Sequence, residues 1–395
     1  MEAADFVLRF LESLGRRDEA QFYLNLFRSE PKEQFAAIVV DPNVMRHASS
    51  AVALDLHFLA ALGLHPTVVF GLYEGKEARE HAARIERKLK REQVHAVVRA
   101  SDSPTLDADV LADARAGAIP IVTFSPPPTQ DGGMVETATS AEARVRRLGD
   151  LLSTLRTRKI IFLHRPGGMR QRGSLVPVVN LSIDFDQLAS SRELTRKQQA
   201  ILAVSRRLIF DLCPHPLVAA VTSPLDLLRE LFTIKGAGTL LRRGAVLSRH
   251  EGWEGIDRER LKTLLVSSFG RVPEDAFFQR PVSRVYLEEN YRGAAIMLDT
   301  PLGSYLSKFA VERRAQGEGI GGDIWQRLSA DHPSIFWRAR GTNPISAWYT
   351  KICDGMVRFA DWHVFWKGLR PDQIPTAVEA ALAQPIDLAA ESATV

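Results

Sequence analysis

Cysteine, long apolar runs and an excess of charge of one sign are all scarce in this chain of 395 residues. Its two cysteines, Cys213 and Cys353, lie far apart and outside any Cys-x-x-Cys pair or Cys/His cluster. This usage argues against a disulfide framework and a cysteine-ligated metal, so we expect free thiols in a reducing compartment and no metal. No uncharged run reaches the roughly 18 residues of a membrane-spanning helix, so we expect no membrane partner.

The charge is nearly balanced, with 51 Lys and Arg residues against 47 Asp and Glu residues. A net charge of +4 without a basic tail argues against nucleic-acid binding, while a pI near 9.1 suits small anionic ligands. Residues 1–14 contain Glu2, Asp5, Arg9 and Glu12, which interrupt any signal-like apolar stretch. We therefore expect a cytoplasmic protein.

The first part of the chain alternates between strand and helix patterns. After a helical arm over residues 1–30, the predicted strands are 35–40, 67–70, 96–98, 119–124 and 159–163, and the predicted helices are 51–62, 77–90, 109–116 and 141–155. Such alternation predicts a three-layer αβα domain with a mainly parallel sheet, which we place at residues 31–248.

The composition changes near residues 245–262, where the polar, glycine-rich stretch 250–255 is interpreted as a linker. The aromatic-rich part that follows predicts a second α/β domain over residues 249–372. Its antiparallel strands are predicted at 282–287, 294–298 and 306–311. From 373 to 395 the chain is rich in alanine and proline and lacks aromatics, which predicts a loose tail with a short helix at 377–383.

A glycine-rich turn over residues 313–322 joins a predicted strand to a predicted helix. Glycines let the backbone approach a ligand, and the helix start adds partial positive charge, so the arrangement suits a pyrophosphate. The alternative is a turn that merely separates two elements. A P-loop does not fit because no Gly-Lys-Ser/Thr follows, and a dinucleotide fingerprint belongs to the first strand–helix unit of a chain.

Four cations near this turn form a candidate anion site. Arg338 and Arg340 alternate on a predicted strand and so share one face, Lys308 lies on the strand before the turn, and Arg271 follows a predicted helix. Guanidinium groups bind carboxylates in a bidentate manner, so the set suits a substrate with two carboxylates. Alternatively, each is a solvated surface charge or pairs with a nearby acid. Those acids are Glu288, Glu289 and Asp299.

Five short motifs follow one another in the last third of the chain. They are Tyr305-Leu306-x-Lys308-Phe309-Ala310-Val311, Gly317-x-Gly319, Phe336-Trp337-Arg338-x-Arg340, Asn343-Pro344-Ile345-x-x-Trp348-Tyr349 and Phe365-Trp366-x-Gly368-Leu369. Together they resemble the GNAT acetyltransferase domain of the N-acetylglutamate synthase family, in particular its vertebrate-like and bifunctional synthase/kinase group. The resemblance implies an amino-acid N-acetyltransferase of arginine biosynthesis, with acetyl-CoA as donor and L-glutamate as acceptor.

The resemblance also implies roles for individual residues. It assigns acetyl-CoA to Phe309, Ala310, Val311, Arg314, Ala315, Gln316, Gly317, Glu318, Gly319, Ile320 and Gly321, and the acceptor to Arg271, Lys308, Arg338 and Arg340. Tyr349 is the candidate acid toward the CoA sulfur, although it can equally be a core tyrosine beside Trp348. Asn343 either caps its helix or also contacts a substrate. The base remains unassigned, because His332 and His363 are interpreted as structural.

The first domain carries motifs of its own. They are Phe22-Tyr23-Leu24, Phe35–Val40, Lys159–Leu163, Thr222-Ser223-Pro224 and Glu230–Leu240. Over residues 2–244 they resemble the amino-acid kinase domain of the same family. The phosphate-binding Lys-x-Gly-Gly of such kinases is replaced by Val39-Val40-Asp41-Pro42, and a Gly-Gly-Gly turn is replaced by Gly71-Leu72-Tyr73. Phosphoryl transfer depends on those cations and amides, so we predict that this domain no longer phosphorylates a substrate.

A retained kinase fold without its chemistry suggests a sensor or a scaffold. The residues that resemble the arginine site of arginine-regulated family members are Tyr23, Glu230, Lys235, Gly236 and Gly238. The alternative is a packing motif without a ligand. The resemblance also implies a homo-oligomer, a dimer or a tetramer. Two other functions stay open: an acetylglutamate kinase or bifunctional enzyme, and a non-catalytic arginine-sensing regulatory protein.

Overall fold

The computed structural model describes residues 17–124, 138–233, 236–312, 319–343 and 345–388. The chain divides into two compact units, one ending at Arg243 and the other beginning at Gly244. Among the helices within these ranges, none is both long and apolar enough to cross a membrane.

The first unit is a three-layer fold, as predicted. Its helices are α1 Arg17–Ser29, α2 Pro42–Ala61, α3 Ala78–Arg91, α4 Leu106–Arg115, α5 Ala138–Leu155, α6 Phe185–Ala189, α7 Arg196–Arg207 and α8 Leu227–Phe232. Its strands are β1 Ala37–Val40, β2 Thr67–Phe70, β3 Ala96–Ala100, β4 Ile119–Thr123, β5 Lys159–Leu163, β6 Arg170–Gln171, β7 Ser174–Leu175, β8 Val178–Asn180, β9 Val218–Thr222 and β10 Thr239–Arg242. The main sheet has the order β3-β4-β2-β1-β5-β9-β10-β8 and is parallel from β3 to β9.

Strand β1 shows why this sheet forms in the middle of the unit. All four of its residues are buried, with Ile38 and Val40 in the core on one face and Ala37 and Val39 in the core on the other. A parallel strand covered by helices on both faces is expected to be apolar throughout rather than alternating. The continuous apolar run in the sequence is therefore the correct signal for a central parallel strand.

Helix α2 begins earlier than its apolar pattern predicts. Asp41 caps it by accepting a hydrogen bond from the Asn43 amide at 2.8 Å, and Pro42 occupies the first turn. Both are favoured at helix starts, because the cap satisfies a free amide and proline has none to satisfy. The two residues that replace the kinase glycines thus serve to start a helix.

The second unit is built on a sheet with the order β11-β12-β13-β14-β15-β17-β16. Its strands are β11 Leu247–Glu251, β12 Arg284–Glu288, β13 Gly293–Thr300, β14 Gly303–Val311, β15 Ile335–Arg340, β16 Gly355–Arg358 and β17 Trp362–Lys367. Its helices are α9 Arg258–Phe269, α10 Ile320–Asp331, α11 Ser346–Ile352 and α12 Ile374–Leu382. Helices α10 and α11 pack on one face of the sheet, which we call the tyrosine face because Tyr349 lies there. Helices α9 and α12 pack on the opposite face, which we call the cation face.

Two of the predicted boundaries are wrong. The stretch interpreted as a linker includes His250 and Glu251, which belong to β11 and pair with β12 along the whole strand. The unit therefore begins at Gly244, ahead of the predicted residue 249. The predicted short helix at 377–383 is confirmed as α12, but a loose tail is wrong for residues 374–388, because Ala377 and Ala381 of α12 are fully buried against the sheet. Val378 and Leu382 pack against the same cluster but are only partly buried, and the segment lacks the aromatic side chains that make a packed helix easy to recognise.

One buried group of the first unit makes its stability depend on pH. Asp55 of α2 is 9% exposed, and its Oδ2 is buried without a hydrogen-bond partner among the residues that the structure describes. Burial raises the pKa of Asp55 from 3.8 to about 8. Between these values the unfolded chain binds fewer protons at this carboxyl than the folded chain, so the free energy of unfolding falls as pH rises, by roughly 1.4 kcal/mol per pH unit.

We expect Asp55→Asn to remove this penalty. The thermal midpoint of the variant should exceed that of the parent chain by more at about pH 8.5 than at about pH 5.5, because the parent carboxylate is ionised only at the higher pH. Circular dichroism at both pH values measures the difference. Asp102→Asn, at an exposed turn after β3, is the matched control and should show no such trend. An equal midpoint difference at both pH values would contradict the assignment.

Candidate active site

Strands β14 and β15 separate soon after they begin. Within these two fully described strands, parallel pairing is limited to Ser304 with Ile335 and Tyr305 with Phe336. From Leu306 onward the edge of β14 that faces β15 has no strand partner there, although its other edge pairs with β13 up to Val311. Unpaired backbone groups of this kind can bind a ligand that lies between the strands. We call this opening the strand gap.

Aromatic side chains surround the strand gap on the tyrosine face. The ring of Tyr349, on α11, lies 6.4 Å from that of Phe309 on β14 and 5.4 Å from that of Trp337 on β15. Tyr349 therefore lies across the gap. It is 5% exposed, burial raises its pKa, and within the described residues its hydroxyl has no hydrogen-bond partner.

The predicted cofactor residues fall into two groups. Arg314, Ala315, Gln316, Gly317 and Glu318 lie outside the described residues. Of the others, Phe309, Ala310 and Val311 form the end of β14, and Ile320 and Gly321 begin α10. Gly319 directly precedes α10 in the left-handed region at φ 82°, a conformation that other residues adopt at a cost. The described ends of the turn thus bring the last residues of β14 and the first turn of α10 to one end of the strand gap.

The cation face carries a cluster of buried positive charges. The Lys308 side chain is 10% exposed, and its Nζ lies 2.7 Å from Oδ1 of Asp387. Arg280 reaches the other oxygen of Asp387 at 3.3 Å, and Arg338 lies close enough to influence the pKa of Lys308. Burial lowers the pKa of Lys308 and of Arg338, and Asp387 opposes both shifts. Lys308 and Arg280 therefore share one carboxylate, with Arg338 close by, and these three cations are hereafter the cation cluster.

The remaining predicted acceptor residues differ in position. Arg340 lies beside the cluster, where its guanidinium and that of Arg338 contact the same ring, Trp362, at 4.3 and 4.0 Å. Arg271 follows Gly270 at the end of α9 and makes no ion pair or hydrogen bond with any residue described here. The structure thus brings Lys308, Arg338 and Arg340 together and gives no contact that places Arg271 with them.

Sequence reasoning missed Arg280 and Asp387. Arg280 follows a 3-10 helix, Asp275–Gln279, and its carbonyl accepts a hydrogen bond from Trp253 at 2.8 Å. No periodicity distinguishes either residue in the sequence, and their meeting depends on a contact between segments far apart in the chain. The one available signal for Arg280 was its position after the aromatic pair Phe277-Phe278, which packs against the cation face.

Asn343 and the two histidines have mainly structural contacts. The Asn343 side chain accepts a hydrogen bond from the Ile345 amide at 3.1 Å just before α11, as a helix cap does. His332 lies between Ser304, at 2.7 Å, and Tyr286, at 3.0 Å, near the paired start of β14. His363 is half-buried on β17. The described contacts add no second partner for Asn343 near the strand gap.

In the first unit, side chains fill the edge of the sheet at which open α/β folds bind ligands. Asp41 follows β1, and its carboxylate lies 2.9 Å from Nζ of Lys197 on α7. That ammonium lies 4.3 Å from the centre of the Tyr73 ring, and the Tyr73 hydroxyl is buried with no hydrogen-bond partner in the described part of the chain. An ion pair of the chain itself and a tyrosine ring thus occupy the ends of β1 and β2.

The predicted arginine site has a buried carboxylate at its centre. Glu230 is 6% exposed; one oxygen lies 3.3 Å from Nζ of Lys159, and the other accepts hydrogen bonds from the Ala237 and Gly238 amides at 2.9 and 3.0 Å. A Cβ at Gly236 would lie 2.7 Å from that oxygen, and its φ is 62°, so glycine fits this position. Lys235 lies outside the described residues.

Tyr23 approaches the same region through α1. Its ring lies 5.9 Å from that of Phe27, which in turn lies 5.8 Å from Phe232 at the end of α8. Helix α1 therefore packs on the helix that carries Glu230. The carboxylate already has donors on both oxygens, so a guanidinium ligand would compete with Lys159.

Within the described ranges, no group of three or more His, Cys, Asp or Glu side chains is arranged to hold a metal ion. The second unit instead joins an open strand gap, a glycine-bounded helix start and a cation cluster. That combination defines an acetyltransferase fold, here joined to an amino-acid-kinase-like fold.

The family described as N-acetyltransferase of N-acetylglutamate synthase matches residues 248–382. The chain is 32% identical to the acetylglutamate kinase of Xanthomonas campestris over 89% of this chain and 94% of that protein. It is 30% identical to the mitochondrial N-acetylglutamate synthase of Homo sapiens over 91% of this chain and 74% of that protein. The solved N-acetylglutamate synthase of Neisseria gonorrhoeae shares the fold, with a TM-score of 0.51 at 14% identity over 89% of this chain and 98% of that one.

The chain is thus an amino-acid N-acetyltransferase. It belongs to the family of N-acetylglutamate synthases and acetylglutamate kinases.

Proposed function

We propose that this chain acetylates the amine of L-glutamate, releasing N-acetylglutamate and CoA for arginine biosynthesis. The observation that carries the proposal is the strand gap with Tyr349 on one face and the cation cluster on the other. Glutamate carries two carboxylates, and Lys308, Arg338 and Arg340 offer them charge-assisted hydrogen bonds. The human relative, named N-acetylglutamate synthase, supports the same acceptor.

The residues have separate tasks in this proposal. The ends of β14 and α10, with Gly319 between them, hold the pyrophosphate of acetyl-CoA through backbone amides, and the unpaired edge of β14 holds the acetyl arm. The cation cluster orients the acceptor, so that its amine reaches the gap from the cation face. Positioning of two reactants by such contacts supplies much of the rate acceleration of an acyl transfer.

Tyr349 is proposed to donate its proton to the departing thiolate sulfur of CoA. Its position across the strand gap supports this role, and its buried phenol keeps its proton because burial raises its pKa. Asn343 holds the start of α11 and thereby positions Tyr349, the fourth residue of that helix. The base that accepts the proton of the amine is not assigned to a residue.

Tyr349→Phe should separate catalysis from packing. We expect kcat to fall by about 10²–10⁴-fold, because the acid is lost. The thermal midpoint should not change, because the hydroxyl has no hydrogen bond to lose among the described residues. Steady-state kinetics and a thermal melt measure both. Tyr291→Phe, whose hydroxyl accepts a hydrogen bond from the Asp257 amide away from the gap, is the matched control. Full turnover by Tyr349→Phe would make Tyr349 a packing residue.

Release of CoA thiol with different acceptors tests the function itself. We expect turnover with L-glutamate, weaker turnover with L-aspartate, and none above background with L-ornithine or buffer, because only the first two bring two carboxylates to the cation cluster. Mass spectrometry should identify N-acetylglutamate. The same preparation, given ATP and N-acetylglutamate, should release no ADP. Equal thiol release with ornithine would refute the acceptor, and ADP release would refute the loss of kinase activity.

Acetylglutamate kinase is the second candidate function, because the Xanthomonas campestris relative bears that name. The residues at the sheet edge argue against it. A kinase needs cations and free amides around the transferred phosphate. Here Val39 lies in the buried core, Asp41 adds a negative charge, and Lys197 is already paired with it. These substitutions favour a synthase without phosphotransfer.

We propose further that L-arginine regulates the enzyme through the first unit. A solved structure of the Neisseria gonorrhoeae synthase contains L-arginine together with coenzyme A, which supports an arginine effector in this family. In this chain the buried carboxylate of Glu230 is the group that recognises a guanidinium, which replaces Lys159 at Oε1. Two other residues of the proposed arginine site lie nearby: Tyr23 on α1 and Gly236 in the turn after α8.

Titration of arginine during acetyl transfer tests this regulation. We expect arginine to change the rate of the parent chain and Glu230→Gln to abolish the response, because the variant lacks the charge that pairs with a guanidinium. Glu80→Gln, which alters an exposed carboxylate of α3 in the same unit, should keep the response. A flat titration with the parent chain would remove the regulatory proposal and leave the acetyltransferase proposal intact.

A further inference from the structure

The cation cluster is occupied by the protein's own chain. Asp387 is 8% exposed and provides the carboxylate that Lys308 and Arg280 share. Within the described ranges, no other Asp or Glu forms an ion pair with Lys308, Arg280 or Arg338. Lys308, one of the groups proposed to hold a carboxylate of the acceptor, therefore already holds one.

Arg338 donates hydrogen bonds to backbone oxygens of the same part of the chain that carries Asp387. Its two terminal nitrogens donate hydrogen bonds to the carbonyls of Leu382, at 2.8 Å, and Pro385, at 3.0 Å. Arg280 also donates to the side chain of Gln384, at 3.4 Å. Residues 382–388, hereafter the C-terminal strap, thus supply oxygen acceptors at the points where a dicarboxylate would supply them.

Polar contacts, rather than apolar burial, hold the strap in place. Ile386, its large apolar residue between Leu382 and Leu388, is 56% exposed, and residues 383 and 385 are exposed as well. Its far end is tied to the main chain, where the Glu274 amide donates to the Asp387 carbonyl at 3.1 Å. An incoming dicarboxylate can replace these oxygens at the cations, and because Ile386 is already exposed, little apolar surface is uncovered when the strap leaves.

We propose that the C-terminal strap is an internal competitor of the acceptor, with Asp387 standing in for one acceptor carboxylate. This inference rests on the proposed function, because it concerns the same cation cluster. A free acceptor must displace the strap before it binds, which raises its apparent KM. The binding of acetyl-CoA, on the other side of the strand gap, does not require that displacement. The strap therefore sets the glutamate concentration at which the enzyme responds.

Asp387→Asn is the main test. We expect the KM for glutamate to fall by roughly tenfold or more, as for loss of a hydrogen bond to a charged group, while the KM for acetyl-CoA stays the same. Asp387→Glu restores the charge and should return the KM toward the parent value. Asp372→Asn is the matched control. Asp372 also lies near the end of the second unit, but among the described residues it pairs only with the exposed Arg370. A raised or unchanged KM for glutamate in Asp387→Asn would overturn the proposal.

A binding measurement separates this proposal from the proposed function. Glutarate has two carboxylates but no amine, so it binds without being acetylated. Its effect on the thermal midpoint should be larger for Asp387→Asn than for the parent chain at equal ionic strength; an equal or smaller effect would refute the strap. Absent turnover of the parent chain with glutamate would instead refute the acetyltransferase acceptor.

If Asp387→Asn does not fold, Ile386→Gly loosens the strap without removing a charge. A flexible glycine at an exposed position should lower the KM for glutamate about two- to fivefold. An unchanged KM in that variant would count against the strap.

Discussion

The separation of β14 from β15 is the constraint on which the second unit depends. A sheet normally satisfies its backbone groups by pairing, yet here two adjacent parallel strands share two pairs of residues and then diverge. The divergence needs rigid support on both sides: β13 holds β14, and β17 pairs with every residue of β15. Stacked rings of Trp337 and Phe365 stiffen the second side. The gap is therefore a built feature of the sheet.

The gap also explains why the two faces of the sheet have different chemistry. Alternation along β15 sends Trp337 and Ala339 to the tyrosine face and Arg338 and Arg340 to the cation face. The tyrosine face is apolar, and burial there keeps the phenol of Tyr349 protonated. The cation face instead holds several partly buried positive side chains. A reaction that transfers an acetyl group from a thioester to the amine of an anionic acceptor needs both environments close to one point. An open edge between two strands provides access to both.

Much of this fold can be predicted from sequence, and the failures have physical causes. The strands at 67–70, 159–163 and 335–340 were predicted at their observed bounds, because short apolar runs between turn residues specify buried strands. The first turns of α2 were not predicted, because the start of this helix depends on capping by Asp41 rather than on apolar periodicity. Arg280 and Asp387 escaped because their meeting requires the end of the chain to fold back on the sheet. The alternating arginines, by contrast, lie on one strand and needed no tertiary information.

The packing around Val39 at the end of β1 limits what a single substitution there can achieve. Val39 is packed among Val69, Leu72 and Phe162, so a lysine restored there would place an ammonium in a hydrocarbon interior, while the neighbouring Asp41 already neutralises Lys197. A lysine at this one position would therefore cost stability without placing a free cation at the end of β1. A phosphate-binding cation at this sheet edge would require changes to several packed side chains at once.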